Sequence, residues 1–392
     1  MAQKLMHYWA FMYFLGNIFA QFLLFAPIAA TYFNVMVAIG VILLVANMDK
    51  LHFSGMLKAH NFIYIYTLLM IVYQFTFGWS NINDRTWPYL AAKVVSDFMF
   101  VISVSSFPSF YEKKFYLYMA IMTAVLIVIG RFTGEINTVT GRQTFGFGNE
   151  NSLSAIAAVS AACMFIQVPK LKKWHWGVLG ICLYGLFMGG SRTATAALLI
   201  GLIFKYGLKP KTVSVIIAVS ISLMIVDYFN IKLPGISRVM ESVENADFDS
   251  GRDAERKASL LMIRENPLTG NGLYAQQSEE AMKISELGSH NGYIDIIKFM
   301  GFGFGSVILI SLFLYLKKIY SYFNKSPNLN LRSHLYAVFM VCAMAMYEAY
   351  IWGVNQMITT CMFISMSLLG SMMRTKSDRI SVDTAKDPKN KK

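Results

Sequence analysis

"FIYIYTLLMIVYQFTFGW", Phe62–Trp79, carries no charged side chain. As a helix it rises about 27 Å, close to the depth of a bilayer's hydrocarbon core. "VSVIIAVSISLMIVDYF", Val213–Phe229, repeats the pattern with one acidic residue, Asp227. The chain of 392 residues is 56% hydrophobic and only 15% charged. Soluble domains rarely reach that balance. The reading is an all-α, polytopic helical membrane bundle.

Working outward, apolar blocks predict about twelve transmembrane helices over residues 5–26, 28–46, 61–79, 89–107, 115–131, 151–168, 174–190, 193–206, 212–229, 290–316, 335–352 and 354–373. Residues 1–373 then form one integral membrane domain, and 374–392 a polar, disordered cytoplasmic tail. The first block resembles a signal peptide, with Lys4, an apolar run and "FAPIAA". Its length, and the second block directly after it, favour a retained helix. Cys163, Cys182, Cys342 and Cys361 lie in apolar blocks without CxxC spacing. They read as buried hydrophobes, not as a disulfide framework or a zinc site.

A net charge of +13 suggests nucleic acid in a soluble protein. Here its distribution gives an orientation instead. With the N-terminus inside, 22 Lys and Arg fall in inner segments and 11 in outer ones, as the positive-inside rule requires. Inside, 19 of the 22 are Lys; outside, 8 of the 11 are Arg. Topology needs only charge, whereas Arg offers a planar fork suited to phosphate or carboxylate. The outer arginines are therefore candidates for binding an anion. Ordinary loop surface and snorkelling helix ends are the simpler alternative.

The long outer loop, about 230–289, contains "SGRDAERKASLLMIREN", Ser250–Asn266. Ser250 as N-cap predicts a helix over 251–265, with Arg252 and Arg256 on one face and Lys257 and Arg264 on another. Pro267 ends it. Lys93, Asp97, Asp227, Asp295, Lys298 and Glu348 fall inside apolar blocks. The spacings 93/97 and 295/298 suit ion pairs on one helix face. The six sit mainly toward the outer ends of their helices, which suits an outward polar cavity better than a transmembrane relay. Of six histidines only His290 is placed outside. At a helix N-terminus its pKa is expected to fall, making it a neutral general-base candidate. A capping or interface histidine is the competing reading.

Four motifs in order resemble the O-antigen polymerase and O-antigen ligase superfamily of bacterial envelopes. They are "GRQTFGFGNENSLSA" (Gly141–Ala155), "GGSRTATAALLIGL" (Gly189–Leu202), "SGRDAERKASLLMIRENPLTGNGL" (Ser250–Leu273) and "SHNGYIDIIKFMGFGFG" (Ser289–Gly305). The first departs from the family pattern, with Glu150 where Pro often precedes the Asn. The resemblance covers about residues 130–316.

It implies transfer of a glycan from undecaprenyl pyrophosphate to a sugar hydroxyl at the outer face of the bacterial cytoplasmic membrane. No cofactor or metal is implied. By motif position it assigns Arg192 and Arg252 to the pyrophosphate and His290 to the acceptor as base, these three being the catalytic candidates. Arg142, Asn151 and Asn291 are substrate-binding candidates, joined through helical proximity by Arg256 and Arg264. The preferred reading is a polymerase of O-antigen, capsule or exopolysaccharide repeat units, with a chain-length regulator as partner. The first alternative is a ligase acting on lipid A core. A flippase or secondary transporter is a further alternative, which predicts broken helices near the midplane and inverted repeats. The sequence displays neither.

Overall fold

Helices supply the regular structure, and an isolated bridge joins Phe22 and Phe147. The computed structural model describes residues 2–47, 58–81, 83–133, 142–214, 216–218, 221, 234, 237, 252–274, 278–285, 290–353 and 356–386. In chain order the first helices are α1 (Ala2–Gln21), α2 (Ala26–Ala46), α3 (Asn61–Thr76), α4 (Thr86–Ser106) and α5 (Pro108–Thr133). Next come α6 (Glu150–Gln167), α7 (Lys173–Gly189) and α8 (Arg192–Tyr206). The short α9 (Asp253–Glu265) and α10 (Glu279–Ile284) precede α11 (Gly292–Phe323), α12 (Leu329–Met344) and α13 (Met357–Lys386).

Among the described residues, four helices are long and apolar enough to cross a membrane: Ala26–Ala46, Thr86–Ser106, Pro108–Phe132 and Gly292–Phe323. Shorter apolar helices pack among them, and the chain is an integral membrane protein. The predicted helix over 212–229 lies mostly outside the described residues, as do Asp227 and Ser250.

Several boundaries differ from expectation. "PSFYEKK", read as an inner loop, forms the first turns of α5. The predicted 335–352 helix starts earlier, at Leu329, and stops at Met344. Residues 345–356 are not helical among those described, although "YEAYIWG" is as apolar as a helix interior. The tail predicted to be disordered from 374 continues α13 as far as Lys386. Helix α9 begins at Asp253, with Arg252 at its N-cap position and no side-chain cap.

Helix α6 is the central element. Its small residues Ala155, Ala157, Ala158, Ala161 and Ala162 are buried, and α5, α7, α8 and α12 pack around it. Within a bilayer lipid tails are as apolar as side chains, so close packing and interhelical hydrogen bonds must hold helices together. Asn17 Nδ2 donates to Thr360 Oγ1 at 2.7 Å, Tyr336 OH to the Ala197 carbonyl at 2.7 Å and Tyr315 OH to the Met366 carbonyl at 2.8 Å. Such bonds contribute on average about 0.6 kcal/mol each. Helix α1 carries the core residues Trp9, Tyr13, Phe14 and Ile18, so it packs as part of the bundle.

The intramembrane pairs form as their spacing predicts. Lys93 Nζ lies 2.9 Å from Asp97 and 3.7 Å above the Phe363 ring. Lys298 Nζ lies 2.7 Å from Asp295. Both pairs are enclosed within the bundle, and neither belongs to the cluster described below.

Helix α11 is interrupted at Gly301, whose φ of 67° lies in the left-handed region. The sequence displays no broken helix, so this break removes one ground against a transporter. The break, however, is filled by the protein's own chain. The segment 266–272 docks into it: Phe302 N–H donates to the Pro267 carbonyl at 2.7 Å. Gly272 N–H donates to the Phe299 carbonyl at 3.0 Å, and Asn271 Nδ2 to the Lys298 carbonyl at 2.9 Å. The backbone groups freed by the break are thereby satisfied, as an apolar setting demands. A Cβ on Gly301 would stand 2.2 Å from the Leu268 carbonyl oxygen, so both the dihedral and the close approach require glycine.

Candidate active site

One end of the bundle gathers the start of α6, the α7–α8 corner, the starts of α9 and α11, and the loop after α12. Each is fixed by local chemistry. Asn149 caps α6, accepting from the backbone N–H of Asn151 at 2.7 Å and of Ser152 at 3.2 Å. Ser191 caps α8 through Ala194 N–H. Asn291 caps α11, accepting from Tyr293 and Ile294, while its Nδ2 donates to the Met346 carbonyl at 2.8 Å. That double role suits an amide, and Asp as N-cap could not fill it because an ionised carboxylate only accepts. Asn291 so ties the head of α11 to the loop that carries Glu348.

Glu348 is the hub. Its Oε1 accepts from Arg252 Nη2 at 2.9 Å and from Asn151 Nδ2 at 2.9 Å. Its Oε2 lies 3.3 Å from His290 Nδ1. Arg252 also donates through Nη1 to the Tyr347 carbonyl. With two of its five N–H donors so engaged, three remain to meet an anion. Behind Asn151 stands Arg142, whose Nη2 donates to Asn151 Oδ1 at 2.6 Å and whose Nε donates to the Gly189 carbonyl at 2.7 Å. Arg142 also lies 3.9 Å from Glu150. It is buried and acts as a strut between α6 and the C-terminal end of α7, where a cation is favoured by the helix dipole.

On its other side, His290 Nε2 lies 3.6 Å from Glu255 Oε2, a buried carboxylate oxygen that makes no hydrogen bond. The imidazole is thus held between two carboxylates. His290 precedes α11 and Glu348 follows α12, so both lie outside the helical spans. The His290 pKa is raised above 6.5, first by the hydrogen bond to Glu348 and against the opposing effect of burial. This corrects the expectation that the helix terminus would lower it: a specific carboxylate contact outweighs a diffuse dipole. Burial alone would raise Glu348, but the His290 hydrogen bond and the Arg252 charge outweigh it and hold Glu348 below 4.5.

The arginines do not all converge. Arg192 begins α8, three residues past the Gly189 carbonyl that Arg142 holds, and is partly exposed. Arg256 is exposed and pairs with Asp253 at 2.6 Å. Arg264 is exposed in the last turn of α9, about 18 Å along the helix from Arg252. Arg142, Asn151, Arg252, His290 and Asn291 therefore meet at or around Glu348, while Arg264 does not.

Two residues of the cluster escaped the sequence reading. Glu348 was noted only as an intramembrane charge. Its signal was the cost of a carboxylate in an apolar block, which marks function by default. Glu255 was not singled out. It lies three residues from Arg252, close to one helical turn, and that spacing was the available clue.

Fold and cluster together define an integral membrane protein with a partly buried cation–carboxylate network at one end of a helical bundle. The family model described as O-Antigen ligase matches residues 177–310, from within α7 to within α11. The match agrees with the O-antigen polymerase and ligase superfamily. It includes Arg192, Arg252, Glu255, His290 and Asn291, and leaves Arg142, Asn151 and Glu348 outside. No curated protein matches the chain.

Proposed function

We propose that the protein is a glycosyltransferase that moves a polyprenyl-pyrophosphate-linked glycan to a sugar hydroxyl, polymerising repeat units at the outer face of the cytoplasmic membrane. The observation that carries this reading is His290 set between Glu348 and the unsatisfied Glu255, beside Arg252 with donors to spare. The acceptor hydroxyl donates its hydrogen bond to His290 Nε2, with Glu255 alongside. Its oxygen attacks the anomeric carbon as the carbon–oxygen bond to pyrophosphate breaks. The pyrophosphate leaves with the electron pair and is neutralised by Arg252 and Arg192. His290 Nε2 takes the hydroxyl proton, and Glu348 stabilises the imidazolium through Nδ1. Every proton and charge is placed on a residue of this chain, so no cofactor or metal enters the reading.

A lipid donor also needs a lateral apolar route. A groove of about 630 Å³ runs between α1, α2 and α4, lined by Ala26, Ala29, Ala30, Phe33 and Val37, with Arg85 also in its lining. Tyr89 in its wall donates to the Trp352 carbonyl at 2.8 Å, on the same loop as Glu348. This favours a lipid-linked substrate over a soluble one. Polymerase rather than ligase remains the preferred assignment, on the ground that polymerases are the more diverse group. A chain-length regulator is its proposed partner.

The test uses purified full-length protein with lipid-linked repeat units alone. Lengthening of the glycan is the expected result, abolished in Arg252→Ala and His290→Ala variants that still insert. Arg192→Lys is expected to fail as well, because a single ammonium does not reproduce the fork. Transfer that starts only when lipid A core is added makes the protein a ligase. Wild-type lengthening in both alanine variants overturns the site.

A further inference from the structure

At the opposite end of α6, α7 and α8 lies a second feature that the reaction does not use. An open groove of about 670 Å³ is bounded by the end of α6, the start of α7 and the end of α8. Its walls are apolar and aromatic, with Phe165, Leu171, Trp176 and Tyr206, and three lysines line it, Lys205, Lys209 and Lys211. Helix α6 separates it from the Glu348 cluster by about 27 Å.

The lysines are not equivalent. Lys205 is tied down: its Nζ donates to the Phe165 and Val168 carbonyls, the latter at 3.1 Å, and lies 3.9 Å above the Phe165 ring. It closes the C-terminal end of α6 and fixes one wall. Lys209 and Lys211 are exposed at the rim. Trp176 and Tyr206 are 60% and 52% exposed beside them. Exposed Trp and Tyr next to Lys are what a membrane–water interface selects. Basic pockets between transmembrane helices bind anionic lipid headgroups.

We propose that this groove is a binding site for an anionic phospholipid. The phosphate lies between Lys209 and Lys211, and an acyl chain runs along Phe165, Leu171 and Trp176. Charge complementarity chooses the headgroup, and the apolar wall chooses a lipid over a soluble phosphate. The site is independent of the proposed reaction, and its test does not use activity.

Trp176 reports on it. Full-length protein is placed in phosphatidylcholine bilayers, and brominated phosphatidylglycerol or brominated phosphatidylcholine is titrated in at equal bromine density. The Trp176 contribution is isolated as the difference from Trp176→Phe. Phosphatidylglycerol is expected to quench it at the lower lipid fraction, with apparent affinity falling about fivefold for each lysine removed in Lys209→Gln and Lys211→Gln. The control Lys113→Gln/Lys114→Gln, on α5 at the same end, is expected to leave quenching unchanged. Lys209→Arg/Lys211→Arg is expected to restore the preference. Equal quenching by the two lipids overturns the site. An equal loss in the α5 control reduces it to diffuse surface charge and also overturns it. Displacement of the brominated lipid by millimolar inorganic phosphate overturns it in favour of a soluble anion.

Discussion

Glu348 holds three partners with two oxygens, and its charge sets what His290 does. His290's folded pKa lies above 6.5, so the stability from this contact is fully present below 6.5 and lost as pH rises through the raised value. Glu348's folded pKa lies below 4.5, so its share is present above 4.5 and lost as pH falls through the depressed value. The pair stabilises most between pH 4.5 and 6.5. A base must be neutral, so transfer is expected to rise with pH through the His290 pKa while the pair's stabilisation declines. Glu348→Gln keeps the shape and removes the charge. It should lower the transfer rate roughly 10²-fold and move the acidic limb of the pH–rate profile to lower pH. Melting measured from pH 6 to 9 should then show less loss of stability than in the wild type. An unmoved acidic limb would mean that His290 is not the titrating group.

Elements meet at the broken helix. Segment 266–272 supplies the hydrogen bonds that α11 gives up at Gly301, and so anchors α9 against the bundle. Arg252 and Glu255 ride on α9, so the anchor sets their reach toward Glu348 and His290. Gly301→Ala adds a Cβ at a positive φ and against a backbone oxygen, costing about 1–3 kcal/mol. Asn271→Ala leaves the Met262 and Lys298 carbonyls without its Nδ2, at about 1–3 kcal/mol. Both variants should melt earlier and lose transfer together. Retained activity in a destabilised Asn271→Ala protein would show that the anchor serves folding alone. The motif pattern made this segment visible, but not its purpose: "NPLTGNG" reads as turn punctuation, and only the docked structure shows it satisfying another helix.

At the level of the whole molecule, the Lys and Arg counts predict that the Glu348 end faces outward. The four native cysteines are buried, so they contribute little background to thiol labelling. A cysteine at exposed Asp84, on the Glu348 end, should react with a membrane-impermeant maleimide in intact cells. One at exposed Lys325, on the other end, should react only after permeabilisation. The reverse pattern would invert the orientation and move the proposed chemistry to the cytoplasmic face.

The helical membrane class and the paired intramembrane charges were legible from residue order, and the motifs singled out Arg252 and His290, which both contact Glu348. Bilayer length, helical spacing and charge asymmetry are local or additive properties, and a linear reading captures them. The non-helical stretch at 345–353 was not legible, because its apolar residues are as compatible with a helix as with the observed turns. The convergence on Glu348 was equally hidden. Asn151, Arg252 and His290 lie 197, 96 and 58 residues from it, and only packing the helices brings their short polar reaches onto one carboxylate.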